Sequence, residues 1–465
     1  MPKNELENWA NEEFGHAALG DRRRTRRLVD MAEAAARHPA GTVTAVFQDS
    51  AEREGAFRLL ESDQVSTAQV AAASHAATLK RCAGHEYVFV AVDSTSLNLN
   101  DQTGSKGFGR IGNSAKPSLG LYAMNALAVA PDGVPLGLLD QEWWARDKPA
   151  KPGPRSKKGS YRARFQEKET RHWVDVLTRV AEMFRQALSS VRPWFQLDRG
   201  GDCWPVLMLA IQLNLLLTVR STHNRRLQDE QDKDNAYLWS KVEQEPVLGS
   251  YTLEIPARQG QPARVAEMQV RACKVTIELR VSKKKREYVS VYAVLAREKS
   301  DAKDRVEWKL LTTHPVTSFE QAHAVIRGYA TRWRVEEFHH AWKTGVCNVE
   351  QSQLRARDHF IKWATVLAAV AARAVRLSYL ARTQPELPAS TELTQDEIDA
   401  VLILKKRTGY QRGSDPPLAD VVRWIADLGG YTGKSSGGPP GPKVIARGLQ
   451  RIEGLAEGLK NMREM

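Results

Sequence analysis

The run EYVFVAV, from Glu86 to Val92, constrains the fold of this chain more than any other stretch. A continuous apolar run of this length is typical of a strand that is covered on both faces of a sheet. Further strands are predicted at Leu119 to Val129, Val134 to Leu139, Trp194 to Leu197 and Leu213 to Arg220, with a helix from about Arg164 to Leu188 among them. This mixture of buried strands and helices predicts an α/β fold.

The regions around these strands differ in their patterns. Residues 1–75 are predicted to be helical. Residues 222–312 contain alternating polar and apolar stretches with basic linkers such as Lys283 to Arg286, a pattern typical of an antiparallel sheet. Residues 384–465 follow a proline-containing break and are predicted to be helical. We therefore expect a helical N-terminal domain, a core from 76 to 383 with a β-rich insertion at 222–312, and a helical C-terminal domain.

The last predicted helix has an apolar stripe made of Leu449, Ile452, Leu455 and Leu459. Apolar residues at this spacing lie on one side of a helix. The stripe suits packing on a helix of a partner subunit and equally suits packing within the chain. The sequence leaves both alternatives open.

The charge of the chain indicates an anionic partner. The formal net charge is +13 over 465 residues, so a polyanion is the first partner to consider. Charge alone does not separate nucleic acid from an acidic membrane surface or from a role in solubility. No stretch is expected to have the apolar length of a membrane span. Residues 1–19 carry acids and lack an apolar core, so we expect no signal peptide.

The cysteines and the common catalytic motifs narrow the function classes. Cys82, Cys203, Cys273 and Cys347 are far apart and form no CxxC pair, so we predict reduced thiols in a cytosolic protein rather than zinc ligands or disulfides. No GxxxxGK[ST] loop occurs, which argues against ATP-driven work. No GxSxG motif occurs either, which argues against a serine hydrolase.

Five arginines fall within six positions near the N-terminus, namely Arg22, Arg23, Arg24, Arg26 and Arg27. Apolar residues continue after them at helical spacing, so we predict a helix with one side directed at phosphates. The alternative is a solvated helix start. It is less favoured because cations at a helix N-terminus oppose the helix dipole, and a bound polyanion would relieve that conflict.

The segment from Tyr329 to Lys343 is predicted to be one helix with an unusual charged face. Tyr329, Arg332, Glu336 and Lys343 are separated by three, four and seven positions, so they share one side of a helix. A carboxylate suits a hard cation, and the two basic side chains suit phosphates. The alternative is a solvated face with ion pairs between turns. The spacing and the interleaved tryptophans favour a functional face.

Two aspartates, Asp93 and Asp198, each stand at the end of a predicted buried strand. Side chains at the carboxyl ends of neighbouring strands converge, although either aspartate alone is most often a turn residue or a helix cap. With Glu336 they supply three carboxylates, which suffice to hold two divalent cations for in-line displacement at phosphorus. Glu336 and His339 also form the ExxH pair used in di-iron bundles, but no second pair occurs at a plausible position.

Several motifs resemble those of the Tn-five-like cut-and-paste DDE transposases of the IS-four insertion-sequence group. The resemblance spans nearly the whole chain. It rests on ALGDRRRTRRL near the start, AVDSTSL around Asp93, LLDQEWWARDKPA from Leu138, LDRGGD around Asp198, WKLLTTHPV from Trp308 and YATRWRVEEFHHAWKTG from Tyr329. The Tyr-Arg-Glu-Lys signature of this group is complete at Tyr329, Arg332, Glu336 and Lys343.

The resemblance implies an RNase H-like catalytic core with a β-rich insertion, between a helical DNA-binding domain and a helical dimerisation domain. It implies that Asp93, Asp198 and Glu336 hold two Mg²⁺ ions, for which Mn²⁺ substitutes. It also implies that Tyr329, Arg332 and Lys343 hold phosphates near the transposon end. Trp308 matches the family tryptophan on which a flipped base stacks. On pattern alone, core packing in a strand is the alternative for Trp308.

The implied activity is that of a DNA transposase that acts as a homodimer on terminal inverted repeats in double-stranded DNA. It would need no ATP and would not bind a membrane. It would act in the bacterial cytoplasm on chromosomal or plasmid DNA. Water nicks one strand, the freed 3′-OH attacks the opposite strand to form a hairpin, water opens the hairpin, and the 3′-OH joins target DNA. The alternatives are a two-metal nuclease and a DNA-binding protein descended from a transposase. The complete signature and the C-terminal helices favour the transposase.

Overall fold

The computed structural model describes residues 5–101, 104–112, 118–146, 169–228, 236–255, 262–300, 302, 305–433 and 438–464. The chain divides into two compact units, each built from separate segments. The first unit comprises Met1–His85, Ser94–Pro149 and Arg334–Met465, and the second comprises Glu86–Asp93 and Ala150–Trp333. The three domains expected along the chain stay a prediction.

The described residues contain ten strands and fourteen α-helices. The strands are β1 (Tyr87–Asn98), β2 (Gly109–Ile111), β3 (Ser118–Val129), β4 (Pro135–Trp144), β5 (Arg192–Leu197), β6 (Leu216–Arg220), β7 (Gly249–Ile255), β8 (Arg264–Arg280), β9 (Arg286–Glu298) and β10 (Glu307–Thr312). The helices are α1 (Glu5–Phe14), α2 (Arg22–Arg37), α3 (Val43–Val46), α4 (Ser50–Glu61), α5 (Thr67–Cys82), α6 (Thr170–Ala187), α7 (Trp204–Gln212), α8 (Leu238–Gln244), α9 (Phe319–Thr331), α10 (Trp333–His340), α11 (Arg357–Thr383), α12 (Gln395–Leu404), α13 (Leu418–Leu428) and α14 (Pro442–Glu464).

The second unit is built on a mixed sheet with the strand order β1-β5-β6-β10-β9-β8-β7. The strands β1, β5 and β6 are parallel, whereas the remaining neighbours pair antiparallel. Strands β7 to β10 lie in the predicted β-rich range 222–312 and extend the sheet beyond β6. Helix α8 (Leu238–Gln244) also lies in this range, which was predicted to be β-rich and for which no helix was predicted. It is too short for a helical period to stand out in the sequence.

The parallel strands of the second unit are covered on both faces, as their apolar runs predict. Val88, Val90 and Ala91 of β1 are fully buried. Helix α6 packs on β5, and α9 packs on β5 and β6. Residues 164–168, where the predicted helix would begin, lie outside the described residues; α6 begins at Thr170.

Helix α11 organises the first unit. It packs against α2, α4, α5, β4, α13 and α14. Its buried Lys362 donates hydrogen bonds from Nζ to the carbonyl oxygens of Leu60 and Ser62, both at 2.9 Å. The expectation that no stretch has the apolar length of a membrane span is wrong, because α11 is long and apolar enough by composition. However, 78% of its most apolar window is buried inside the protein, as expected of a central helix.

The rest of the first unit consists of three paired strands and the terminal helices. Strands β2, β3 and β4 pair antiparallel, and α5 and α11 pack on β4. Helix α14 packs on α12 and α13. Its Ile452 and Leu459 are 0% and 2% exposed within this unit. Packing within the chain therefore accounts for half of the apolar stripe, and Leu449 and Leu455 remain half-buried.

Several predicted strand boundaries are wrong; β4, for example, continues to Trp144, five residues past its predicted end at Leu139. Strand β1 does not end at Asp93 but continues to Asn98, although its pairing with β5 ends at Val92. Strand β6 begins at Leu216, three residues later than predicted. Asn214 precedes it with a φ of 49°, in the left-handed region. Asparagine tolerates this conformation in a turn, so the chain turns there after α7 before it enters the strand.

Candidate active site

Asp93 and Asp198 lie at equivalent positions on two neighbouring parallel strands of the second unit. Val92 of β1 pairs with Leu197 of β5. Asp93 directly follows Val92, and Asp198 directly follows Leu197. Neighbouring strands are about 4.8 Å apart, so the two carboxylates leave adjacent backbones at the same edge. Both residues are partly accessible to solvent. The structure thus places the two aspartates side by side, as the strand pattern predicts; their catalytic role stays a prediction.

Asp198 also begins a short 3₁₀ turn, Arg199–Gly201. Its Oδ1 accepts a hydrogen bond from the Gly200 N–H at 2.7 Å. Asp198 therefore does cap a short helix, which was the alternative to a ligand role in the sequence. It does not exclude a ligand function, because a carboxylate has two oxygens and the cap engages Oδ1.

Asp202, which the sequence analysis did not single out, stabilises the segment that follows Asp198. It is 3% exposed, and its Oδ1 lies 2.7 Å from Arg225 Nη1. Its Oδ2 accepts a hydrogen bond from the Thr222 N–H at 2.6 Å. The pair therefore ties the turn after β5 to the segment after β6. The only sequence signal was the second aspartate of LDRGGD, which by itself is typical of a turn.

Helix α9 brings Arg332 into contact with Asp93. Arg332 Nη1 lies 2.8 Å from Asp93 Oδ2, and the two side chains are 8% and 13% exposed. The close packing of α9 on β1 requires Gly328, because a Cβ atom there would lie 2.5 Å from Cε1 of Phe89. The arginine predicted to hold a phosphate therefore neutralises a predicted metal ligand.

Tyr329 and Trp308 extend this cluster. Tyr329 is 4% exposed, and its ring lies 6.0 Å from Cζ of Arg332. The rings of Trp308 and Tyr329 meet edge to face, with centroids 5.8 Å apart and planes at 71°. Trp308 is half-buried in β10. Trp308 therefore packs against Tyr329, but it is not a fully buried core residue.

The predicted single helix from Tyr329 to Lys343 is wrong. Helix α9 ends before Arg332, α10 follows as a separate helix, and Ala341–Gly345 form a π-helical turn. The break is a single residue, because Arg332 itself keeps helical backbone angles of φ −55° and ψ −30°. Glu336 lies in the first turn of α10. No proline or internal glycine marks the break, so periodicity alone could not reveal it.

Trp333 is a second feature that the sequence analysis left unassigned. This first residue of α10 is 56% exposed, and Cζ of Arg332 lies 5.3 Å from its ring. An exposed indole beside an arginine offers a surface on which a nucleotide base can stack. The only signal in the sequence was the tryptophan itself, because its exposure is decided by the fold.

The neighbours of Glu336 on α10 are held by contacts within the first unit. Glu337 accepts a hydrogen bond from the Tyr379 hydroxyl at 2.6 Å. Arg334 Nε donates to the carbonyl oxygen of Gly133 at 3.1 Å, and its Cζ lies 3.8 Å from the Tyr379 ring. Burial raises the pKa of Tyr379 to about 12, so the hydroxyl remains a donor at neutral pH. These contacts fix the helix that carries Glu336.

His339 takes part in a buried hydrogen-bond chain. Its Nε2 lies 3.0 Å from Asn125 Nδ2, and Asn125 Oδ1 accepts a hydrogen bond from Gln141 Nε2 at 2.8 Å. His339 is 5% exposed. His339 is therefore held by an amide side chain within the first unit, and the argument against a di-iron site stays a prediction.

Lys343 lies in the π-helical turn and is anchored within the first unit. Its Nζ lies 2.6 Å from the carbonyl oxygen of Ser96, 3.4 Å from Thr95 Oγ1 and 3.6 Å from Glu350 Oε1. The side chain remains 25% exposed. These contacts fix the position of the ammonium group. Because a quarter of the side chain is exposed, the charge stays partly accessible to an anion.

The predicted site is therefore assembled in two parts. Within the second unit, contacts connect Trp308, Tyr329, Arg332 and Asp93 in series, with Asp198 on the neighbouring strand. Glu336 and Lys343 belong to the first unit. The meeting of Glu336 with the two aspartates stays a prediction.

The arginine cluster begins α2, as predicted. Asp21 caps this helix, because its Oδ1 accepts a hydrogen bond from the Arg23 N–H at 2.8 Å. Hydrogen bonds from Arg23 lower the pKa of Asp21, so it stays ionised. Arg24 donates to the carbonyl oxygen of Leu19 at 3.1 Å. The exposed members of the cluster are Arg22, Arg23 and Arg26, whereas Arg24 and Arg27 are partly covered.

A titratable contact joins α2 to α14 within the first unit. His38 Nε2 lies 2.6 Å from Glu453 Oε1, whose side chain is 15% exposed. Burial, opposed by Arg37 and reinforced by Glu457 and Glu397, raises the pKa of Glu453 to about 7. The folded protein therefore keeps a proton on this carboxyl at pH values where the unfolded chain has released it.

This contact predicts a pH dependence of stability. Since the folded pKa of Glu453 is raised, its contribution is favourable at low pH and is lost as pH rises through about 7. The variant Glu453→Gln keeps a neutral side chain at every pH. Between pH 6 and 8.5, the free energy of unfolding of the unmodified protein should fall by on the order of 1 kcal/mol more than that of this variant. Thermal unfolding of both proteins across this range checks the difference, with His38 present in each. Parallel curves would contradict the raised pKa.

Two family models match parts of this chain. Residues 6–65 match a model described as Transposase DNA-binding, and this range contains the arginine cluster of α2. Residues 369–465 match a model described as Transposase Tn5 dimerisation domain. That range contains α12 to α14 and begins inside α11, whereas the predicted C-terminal domain begins at residue 384.

Proposed function

Because this chain is a Tn5-like transposase, with a transposase DNA-binding domain and a Tn5 dimerisation domain, we propose that it moves DNA by a cut-and-paste reaction at one active site per subunit. The proposed catalytic groups are Asp93, Asp198 and Glu336. The observation that supports this most is the position of Asp93 and Asp198 directly after the last paired residues of β1 and β5, with Arg332 bonded to Asp93.

The carboxylates suit a divalent cation. Hard cations such as Mg²⁺ prefer carboxylate oxygens, and Asp93 already binds the cationic group of Arg332 in the structure. Asp93, Asp198 and Glu336 would hold two Mg²⁺ ions, for which Mn²⁺ substitutes. Such ions activate an attacking oxygen and stabilise a leaving oxygen during transfer at phosphorus.

The remaining groups bind and orient the DNA. Arg332 and Lys343 supply positive charge for phosphates, and Tyr329 supports Arg332 through its ring. Trp308 offers the accessible part of its indole to a displaced base. Arg22, Arg23, Arg24, Arg26 and Arg27 on α2 would bind the phosphates of the terminal repeat.

The proposed reaction proceeds by nicking, hairpin formation, hairpin opening and joining of the 3′-OH ends to target DNA. In each step one P–O bond to a DNA oxygen breaks, and a new P–O bond forms to a DNA hydroxyl oxygen or to an oxygen from water. ATP is therefore not required. Each of these transfers takes place at the same carboxylates. We also propose that the sheet around β1, β5 and β6 is an RNase H-like core, and that the enzyme acts in the bacterial cytoplasm on chromosomal or plasmid DNA.

The homodimer fits this reaction, because an element has two ends that must be joined to one target. The dimerisation match covers α12 to α14, so this region would pair two subunits and bring two active sites together. A nuclease that only hydrolyses DNA has no need for such pairing.

Purified protein tests this function on a duplex that carries the inverted repeats flanking the gene. With Mg²⁺ and a target plasmid, we expect excision of the segment between the repeats, a transient hairpin on the released ends, and insertion into the plasmid. Gel analysis of end-labelled DNA resolves these products. Cleavage without joining would indicate a nuclease, and binding without cleavage would indicate a DNA-binding protein descended from a transposase.

A further inference from the structure

The ion pair between Arg332 and Asp93 joins two groups that have different partners in the proposed function. Arg332 Nη1 lies 2.8 Å from Asp93 Oδ2, and both side chains are largely buried. Arg332 is assigned to a phosphate and Asp93 to a divalent cation. In the structure they bind each other, so neither can serve its assigned partner fully until this pair rearranges.

A divalent cation and the guanidinium compete for Asp93. Mg²⁺ binds oxygen ligands at about 2.0–2.1 Å and requires a near-octahedral shell. A guanidinium bonded to the same carboxylate places a like charge beside such an ion. Burial weakens the screening of that repulsion by solvent. The intact pair therefore lowers the affinity of Asp93 for cations.

A DNA phosphate reverses this balance. The planar guanidinium binds phosphate oxygens through two parallel hydrogen bonds, and Mg²⁺ accepts phosphate oxygens together with a small number of carboxylates. Arg332 also lies beside an accessible surface, since its Cζ is 5.3 Å from the ring of Trp333, which is 56% exposed. The guanidinium thus lies between a buried carboxylate and an exposed aromatic ring.

We propose that Arg332 couples DNA binding to cation binding. It holds Asp93 in the free protein, a DNA phosphate draws the guanidinium away, and Asp93 then accepts the cation. The inference rests on the proposed function, because it takes Asp93 as a cation ligand. Arg332 is a positioning residue in this role, since it acts through Asp93. By linkage, DNA raises the cation affinity by the same factor by which the cation raises the DNA affinity.

Mn²⁺ binding to the full-length protein without DNA, measured by electron paramagnetic resonance, tests this coupling. Arg332→Gln removes the guanidinium and should bind Mn²⁺ about tenfold more tightly than the unmodified protein, within the usual range of coupling factors. Arg332→Lys keeps a positive charge and should stay within about threefold of the unmodified protein. Arg327→Gln is the matched control, because it removes an exposed charge from α9, the helix that ends just before Arg332. Asp93→Asn should abolish the tight site.

Equal or weaker Mn²⁺ binding by a folded Arg332→Gln protein would overturn the coupling. If circular dichroism shows that this variant is unfolded, the repeat duplex is added to the unmodified protein and to Arg332→Lys, with Asp93→Asn as the baseline. The duplex should raise the Mn²⁺ affinity of the unmodified protein more than that of Arg332→Lys, which cannot form the two-bond contact. An equal rise would also overturn the proposal. A protein that neither binds nor cuts repeat DNA would instead refute the proposed function.

Discussion

Glu336→Ala is expected to bind terminal-repeat DNA like the unmodified protein and to lose nicking, hairpin formation and joining together. The loss should be on the order of 10³-fold in each step, which corresponds to about 4 kcal/mol of transition-state stabilisation. The steps should fall together because one set of carboxylates serves all of them. Single-turnover cleavage of end-labelled repeat DNA measures the rates, and a gel-shift titration measures binding.

Two further variants separate a chemical effect of Glu336 from a structural one. Glu336→Gln keeps the shape of the side chain and removes its charge, so it should be as inactive as the alanine variant. Glu320→Ala removes an exposed carboxylate from the first turn of the neighbouring helix α9 and should keep full activity. Full cleavage by Glu336→Ala would show that the catalytic assignment is wrong.

Trp308→Ala is expected to keep nicking and to slow hairpin formation by about 10- to 100-fold. Stacking of one base on an aromatic ring contributes about 1–3 kcal/mol, and the sharp bend of a hairpin requires a displaced base. Nicking precedes that displacement, so it should not depend on the indole. Denaturing gels that resolve nicked and hairpin products over time give both rates from one reaction.

The contact between Trp308 and Tyr329 makes a control necessary, because truncation of the indole also removes a neighbour of the Tyr329 ring. Trp308→Phe keeps an aromatic ring and should recover a large part of hairpin formation. Tyr329→Phe leaves the ring contact in place and should not reproduce the selective defect of Trp308→Ala. Equal loss of nicking and hairpin formation in Trp308→Ala, or loss of neither, would count against base stacking.

The sequence predicted best those elements whose signal is local. The apolar run before Asp93 predicts a buried strand because a strand covered on both faces tolerates few polar side chains. The same reasoning located the strand before Asp198. The arginine cluster was predicted as a helix start, and Asp21 caps that helix through its own side chain. Each of these features is set by residues that are close together in the chain.

Other features had no local signal. Periodicity predicted one helix through Arg332, but the chain breaks there, and Gly328 allows the close packing of α9 on β1. The buried pair of Asp202 with Arg225 likewise joins residues that follow two different strands. Propensity yields to such packing, because contacts with the rest of the fold are worth more than the preference of a single turn.

The sequence by itself determined which residue types are available for chemistry: three carboxylates, a signature of phosphate-binding side chains and a basic first helix. It also determined that Asp93 and Asp198 come directly after apolar runs of strand length, because apolar continuity can be read along the chain. Only the tertiary structure decided that those strands are paired neighbours and that the helix is interrupted at Arg332. It also decided that Arg332 binds Asp93. That pair joins residues 239 positions apart, and only the packing of α9 on the sheet brings such distant residues together.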